Sequence, residues 1–147
     1  GLPGIFFPML AKILSVIPFS GQLFSRINSN HQQIKKLLEM TGSILDERAI
    51  DLYQRLISNP AHVSGTIEMM AQWNHQELMS MSKEFSVKCL FITGENDKIV
   101  HPDISLRISK KIKNSKITRL KDLGHLMHEE NPRMIYNEID QFLRENT

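Results

Sequence analysis

The chain has one cysteine, Cys89, and one tryptophan, Trp73, among 147 residues. A lone thiol can neither close an internal disulfide nor build a cysteine metal cluster, and it points to a reducing, cytoplasmic setting. An excess of charge of one sign is also lacking. The net charge is +2 and the lysines are scattered, so the electrostatic footprint of a nucleic-acid binder is missing. The densest basic run, Lys110, Lys111, Lys113 and Lys116, has no interleaved aromatics and reads as the solvated side of a helix and the turn after it. A long hydrophobic run is lacking too. The opening GLPGIFFPMLAKILSVIPF is apolar, but it falls short of the about 20 residues a membrane span needs. Lys12, Pro3, Pro8 and Pro18 interrupt it, and no basic stretch precedes it as a signal peptide requires. It is expected to form one or two short helices that pack against something or line a hydrophobic site. No membrane span is expected.

Hydrophobic residues make up 41% and charged residues 23%, the composition of a globular protein of one-domain size. Two regions differ in pattern. From Gly1 to about Ser82 everything reads as helix and turn. Ile34, Leu37 and Leu38 share a face of one helix, and Asp46 can cap the next, where Ile50, Tyr53, Leu56 and Ile57 recur at helical spacing. Asn59-Pro60 ends that helix, and a third carries Val63, Ile67, Met70 and Ala71 on one side.

After Ser82 the periodicity changes. VKCLFITG, residues 87–94, reads as a strand buried on both faces. Asp103 is expected to cap a helix carrying Ile104, Ile108 and Ile112, and KITRLKDLG follows as a second, more polar strand. Pro132 suits the first turn of a final helix with a stripe of Ile135, Ile139, Phe142 and Leu143. Strand–helix–strand–helix implies two parallel strands. Two such strands make no stable sheet alone, so this half reads as the end of a larger doubly wound domain, completed by a missing core segment or another chain.

In open α/β sheets functional groups gather beyond the carboxyl ends of the strands. Asp97 follows the first strand in GENDKIVHP and His125 follows the second in LGHLMHEENP. Adjacent parallel strands are about 4.8 Å apart, so the two side chains can meet, and a carboxylate beside an imidazole fixes its tautomer and steadies the imidazolium. By spacing alone Asp97 also fits a turn residue, and His125 a strand-end cap.

The combined pattern is G-x-x-D-x-x-x-x-P, a helix, a strand, then G-H-x-x-x-x-E-x-P. With Gly94, Asp97, Pro102, Gly124, His125, Glu130 and Pro132 on it, it resembles the C-terminal end of the α/β-hydrolase fold. The helical half resembles one subgroup, the hydrolase-like magnesium chelatase accessory proteins of bacteriochlorophyll biosynthesis. Thr41-Gly42-Ser43, Pro60-Ala61-His62-Val63, Met69-Met70-Ala71 with Trp73, and His128-Glu129-Glu130 carry that likeness. The resemblance implies that residues 1–82 are a helical cap over the active site and residues 83–147 the C-terminal part of the core. It implies that Asp97 is the acid and His125 the general base of a serine hydrolase acting on a small apolar ester-like substrate, with no cofactor. A non-catalytic protein holding a hydrophobic, porphyrin-type ligand on the same fold is the alternative.

The family's G-x-S-x-G nucleophile turn is absent. Gly42-Ser43 runs on into Ile44-Leu45, and Ser64-Gly65 lacks the preceding glycine. The serine is therefore expected in a segment upstream of this chain. Phe7, Met69, Met70 and Trp73 are candidates to line an apolar substrate pocket. His62 and His75 read as structural, Glu130 as capping or orienting the last helix, and His128 as half of a metal site with no third ligand, so no metal is expected.

Overall fold

The computed structural model describes residues 12, 13, 15, 17, 20–27, 30–73 and 85–146. Phe7, His75 and most of the apolar opening lie outside these residues. The chain divides into two compact units, one of Gly1–Glu39 and Leu45–Asn74, the other of Met40–Ile44 and His75–Thr147. The second unit thus takes in a short segment, Met40–Ile44, from the middle of the helical region.

Among the described residues of the first unit the helices with defined bounds are α1 (Ser20–Ile27), α2 (His31–Glu39), α3 (Glu47–Ile57) and α4 (Pro60–Ala71). Each start after α1 has a local cause. The Asn30 side chain accepts from the Gln32 amide at 2.9 Å, and Asp46 Oδ1 accepts from the Ala49 amide at 2.8 Å. Asn59 Oδ1 accepts from the amides of Ala61 and His62, with Pro60 in the first turn where its missing N–H costs nothing. Ile34 and Leu38 on α2, Ile50 on α3, and Val63 and Ile67 on α4 form the aliphatic core. The four-residue spacing puts each α2 and α4 pair on one face. Each fully buried aliphatic side chain contributes about 1.5–3 kcal/mol relative to exposure. His31 Nε2 lies 3.2 Å from Glu47 and 3.5 Å from Asp51, an exposed arrangement that adds little.

The second unit contains β1 (Cys89–Gly94), α5 (Pro102–Ser109), β2 (Ser115–Leu120), α6 (Met127–Glu130) and α7 (Pro132–Asn146). The strands are parallel, in register from Cys89 opposite Ser115 to Gly94 opposite Leu120. With α5 between them they form the expected strand–helix–strand unit, and α7 follows.

Three expectations are corrected here. The first strand is not buried on both faces: Cys89 to Ile92 are half-buried, and only Thr93 and Gly94 are fully buried. A sheet of two strands leaves these side chains without neighbours on every side. For the same reason α7 has no buried residue, and its stripe leaves Ile139 and Leu143 exposed. Asp103 does not cap α5. Pro102 occupies the first helical position, so the cap falls to His101, whose Nδ1 accepts from the Asp103 amide at 3.3 Å. Glu130 does not cap α7 either, because Asn131 Oδ1 accepts from the Met134 amide at 3.0 Å. Among the described residues no helix is long and apolar enough to cross a membrane.

Candidate active site

Parallel pairing brings the ends of β1 and β2 side by side, and their following loops are stitched together by backbone hydrogen bonds. The Glu95 amide donates to the Leu120 carbonyl and the Asn96 amide to the Leu123 carbonyl, each at 2.8 Å. Such closeness needs glycine. A Cβ on Gly94 would run into the carbonyl oxygens of Leu123 and Gly124, and one on Gly124 into the Gly42 carbonyl and the Ser43 nitrogen. Gly42 has φ +86°, a conformation glycine adopts without penalty. Three glycines therefore let three chain segments meet backbone to backbone.

Asp97 and His125 come together on this base. Asp97 is 8% exposed, and its Oδ1 accepts from the Ile99 and Val100 amides, both at 2.8 Å. The other oxygen, Oδ2, lies 3.0 Å from His125 Nδ1. Burial pushes the Asp97 carboxyl up. The His125 hydrogen bond, the Val100 and Ile99 amides and the charge of a protonated His125 outweigh that push, so its pKa lies below its ordinary value. An ionised carboxylate only accepts, so Nδ1 of the neutral ring carries the proton and Nε2 carries the lone pair. The His125 side chain is 37% exposed, far more than its partner. A tethered acid and a reachable ring nitrogen can take up and return a proton.

The residues around the histidine include two that sequence reasoning did not place at the site. Ser43, 1% exposed, accepts from the Leu126 amide through Oγ at 2.8 Å. Glu130 accepts from the Gly124 amide at 2.7 Å with Oε1 and from the Ile44 amide at 3.0 Å with Oε2. The signal was the Gly-Ser pair and the Glu five residues beyond the histidine, whose contacts reach across most of the sequence. His128 is paired with its neighbour Glu129 at 3.6 Å, and among the described residues no group of three His, Cys, Asp or Glu could hold a metal.

The structure does not place the other candidates in this unit. Met69 and Met70 lie on α4 and Trp73 just beyond it, all in the first unit. Met69 and Trp73 are exposed and Met70 is half-buried. A depression of about 370 Å³ in that unit is lined by Asp51, Gln54, Arg55 and Ser58 instead.

No protein-family model matches the chain. It is 35% identical over 129 residues to the magnesium-chelatase 30 kDa subunit of Rhodobacter capsulatus, covering 88% of this chain and 45% of that protein. It is 28% identical over 130 residues to the uncharacterized hydrolase YugF of Bacillus subtilis (strain 168), covering 87% of this chain and 48% of the relative. The chain thus spans about half the length of the curated relatives it matches. Among solved structures it superposes on a protein from Acinetobacter baumannii AYE described as a candidate lipase. The TM-score is 0.63 at 18% identity, over 86% of this chain and 44% of the other. Over a shorter stretch of 60 residues the chain is 35% identical to the α/β hydrolase domain-containing protein VTE7 of Arabidopsis thaliana, covering 41% of this chain and 18% of the relative. The chain is therefore a partial α/β-hydrolase fold, homologous to a magnesium-chelatase 30 kDa subunit, to a protein named as a hydrolase and to one named for an α/β hydrolase domain.

Proposed function

We propose that the chain supplies the acid and the histidine of a serine hydrolase whose nucleophile lies in a segment preceding it. The observation that carries this reading is the 3.0 Å contact between buried Asp97 and half-exposed His125 at adjacent strand ends. In the reaction His125 Nε2 takes the proton of the attacking serine hydroxyl as the oxygen adds to an ester carbonyl. It then returns that proton to the leaving alcohol, while Asp97 holds the ring and balances the transient imidazolium. On this reading the first unit is the helical insertion, and Met69, Met70, Trp73 and Phe7 contribute to binding a small apolar ester. Two features support a core completed by further chain: the half-exposed strands, and Thr93 Oγ1, buried without a hydrogen-bond partner among the described residues.

The test is hydrolysis of p-nitrophenyl esters by the full-length protein. Asp97→Asn is expected to lower kcat by about 10⁴-fold, with His125→Ala at least as severe. The 147-residue chain by itself is expected to show no His125-dependent turnover. Esterase activity in the full-length protein that is indifferent to both substitutions would overturn the assignment.

The second reading is a non-catalytic protein that holds a hydrophobic, porphyrin-type ligand, favoured by the 35% identity to a protein named as a magnesium-chelatase subunit. Titrating a free-base porphyrin while following its visible absorption separates the two. Stoichiometric binding that survives His125→Ala, together with no ester turnover, favours the binder.

A further inference from the structure

We infer that Glu130 and Ser43 are positioning residues for His125, which they hold by fixing the backbone on either side of it against the Met40–Ile44 segment. The inference rests on the hydrolase reading and deepens it. Three consecutive amides carry the imidazole, and each has an acceptor. The Gly124 amide donates to Glu130 Oε1 at 2.7 Å, the His125 amide to the Thr41 carbonyl at 3.4 Å, and the Leu126 amide to Ser43 Oγ at 2.8 Å. Two of the three acceptors are side chains, so this anchoring is written in the identity of residues 43 and 130.

The same segment holds the acid. The Thr41 carbonyl that receives the His125 amide also receives the Lys98 amide at 3.1 Å, one residue beyond Asp97. Glu130 closes the arrangement, since its second oxygen takes the Ile44 amide at 3.0 Å. One carboxylate thus clamps the turn before the histidine to the segment that grips both loops. Charge-assisted hydrogen bonds of this kind are roughly twice as strong as neutral ones. The ordinary task of an acidic residue here, capping α7, is done by Asn131, so the Glu130 carboxylate is committed to the clamp.

The precision at stake is small in distance and large in rate, because a 1 Å misplacement of a catalytic group can cost about 100-fold. Glu130→Gln keeps the size of the side chain, but its single oxygen can serve only one of the two amides well. Ser43→Ala removes a single acceptor and is the gentler second variant. Both are made in the full-length protein labelled uniformly with ¹⁵N, with the His125 ring signals assigned by comparison with His125→Gln.

Wild type is expected to show one His125 ring species, protonated at Nδ1, with a downfield proton signal from the bond to Asp97. In Glu130→Gln and Ser43→Ala that proton signal is expected to vanish and the ring signals to split or broaden, while the amides of β1 and α5 stay dispersed. Ester turnover should fall by about 10- to 100-fold in kcat with KM unchanged. A merely structural role would lower the unfolding midpoint yet leave the ring signals of the folded protein as in wild type, and that result in Ser43→Ala overturns the inference. A wild-type His125 protonated at Nε2 would instead overturn the acid–histidine reading itself, so the two failures are distinguishable.

Discussion

The two units are each held together internally by different means. In the helical unit the core is made of aliphatic side chains, Ile34, Leu38, Ile50, Val63 and Ile67, and helix starts are set locally, with Asp46 capping three residues ahead. In the second unit the site is held by close backbone approach at glycines and by backbone amides that bond to side chains across long stretches of chain. The Leu126 amide reaches Ser43 and the Ile44 amide reaches Glu130, pairs separated by 83 and 86 residues. The difference predicts how each unit responds to change. A side-chain core gives way gradually, whereas a glycine-lined junction has no slack.

The sharpest way to break the comparison is to add the same methyl group to both units. Gly124→Ala drives a Cβ into the Gly42 carbonyl and the Ser43 nitrogen, which are backbone and cannot rotate away. We expect it to destabilise the second unit by several kcal/mol, at or beyond the range of severe single substitutions, and to disorder the His125 turn. Gly21→Ala in α1 meets first the Ser64 hydroxyl, the end of a side chain that can turn, and then the Pro60 carbonyl at 3.0 Å. Helix propensity favours alanine there by about 1 kcal/mol, which offsets most of the crowding. Urea unfolding followed by amide exchange in each unit reads both effects. Equal losses from the two substitutions would erase the distinction.

The same contrast explains what could be read from the chain beforehand. The helices α2, α3 and α4, the cap at Asp46, the end of α3 at Asn59-Pro60 and the parallel strand pair were legible because their causes lie within a few residues. Asp97 and His125 were legible because each follows a strand and a glycine, and the fold brings strand ends together. Ser43 and Glu130 were not legible as parts of the site. Their partners are backbone amides far along the sequence, and an amide leaves no mark in residue identity. The cap of α5, and the capping alternative offered for Glu130 at α7, were misread for a related reason. His101 and Asn131 each stand just before a proline that takes the first helical position, and a cap belongs to whichever residue has non-helical geometry there. The burial of β1 was overestimated because an apolar run reports what a strand is suited to, whereas its observed burial depends on neighbours that two strands do not provide.

A smaller effect than the glycine clash is expected in the helical core. Ile50, at 2% exposure, is one of the most buried side chains, and Ile50→Ala should cost about 2–5 kcal/mol by loss of burial and creation of a cavity. Its effect should remain in the first unit. Amide exchange in α2 and α4 should accelerate while the Asp97–His125 signals stay as in wild type. An equal loosening of the His125 turn would show that the two units unfold as one and that the contrast between them has no thermodynamic content.

The subtlest difference is in pH. Asp97 has a folded pKa below its ordinary value of 3.8, so the folded second unit binds its proton less readily than the unfolded chain does. The stabilisation from this group is therefore complete above the unfolded value. It is lost as pH falls from there through the folded pKa, because both states are then protonated. Acidification below about pH 4 should loosen β1 and the His125 turn through this carboxylate. In Asp97→Asn that part of the pH dependence should disappear, even though the variant starts less stable. The comparison is between slopes, read as the pH dependence of the unfolding free energy with and without the carboxylate. Parallel slopes over that interval would mean that Asp97 is no more acidic in the folded protein than in the unfolded chain, and the electrostatic half of the acid–histidine assignment would fall with it.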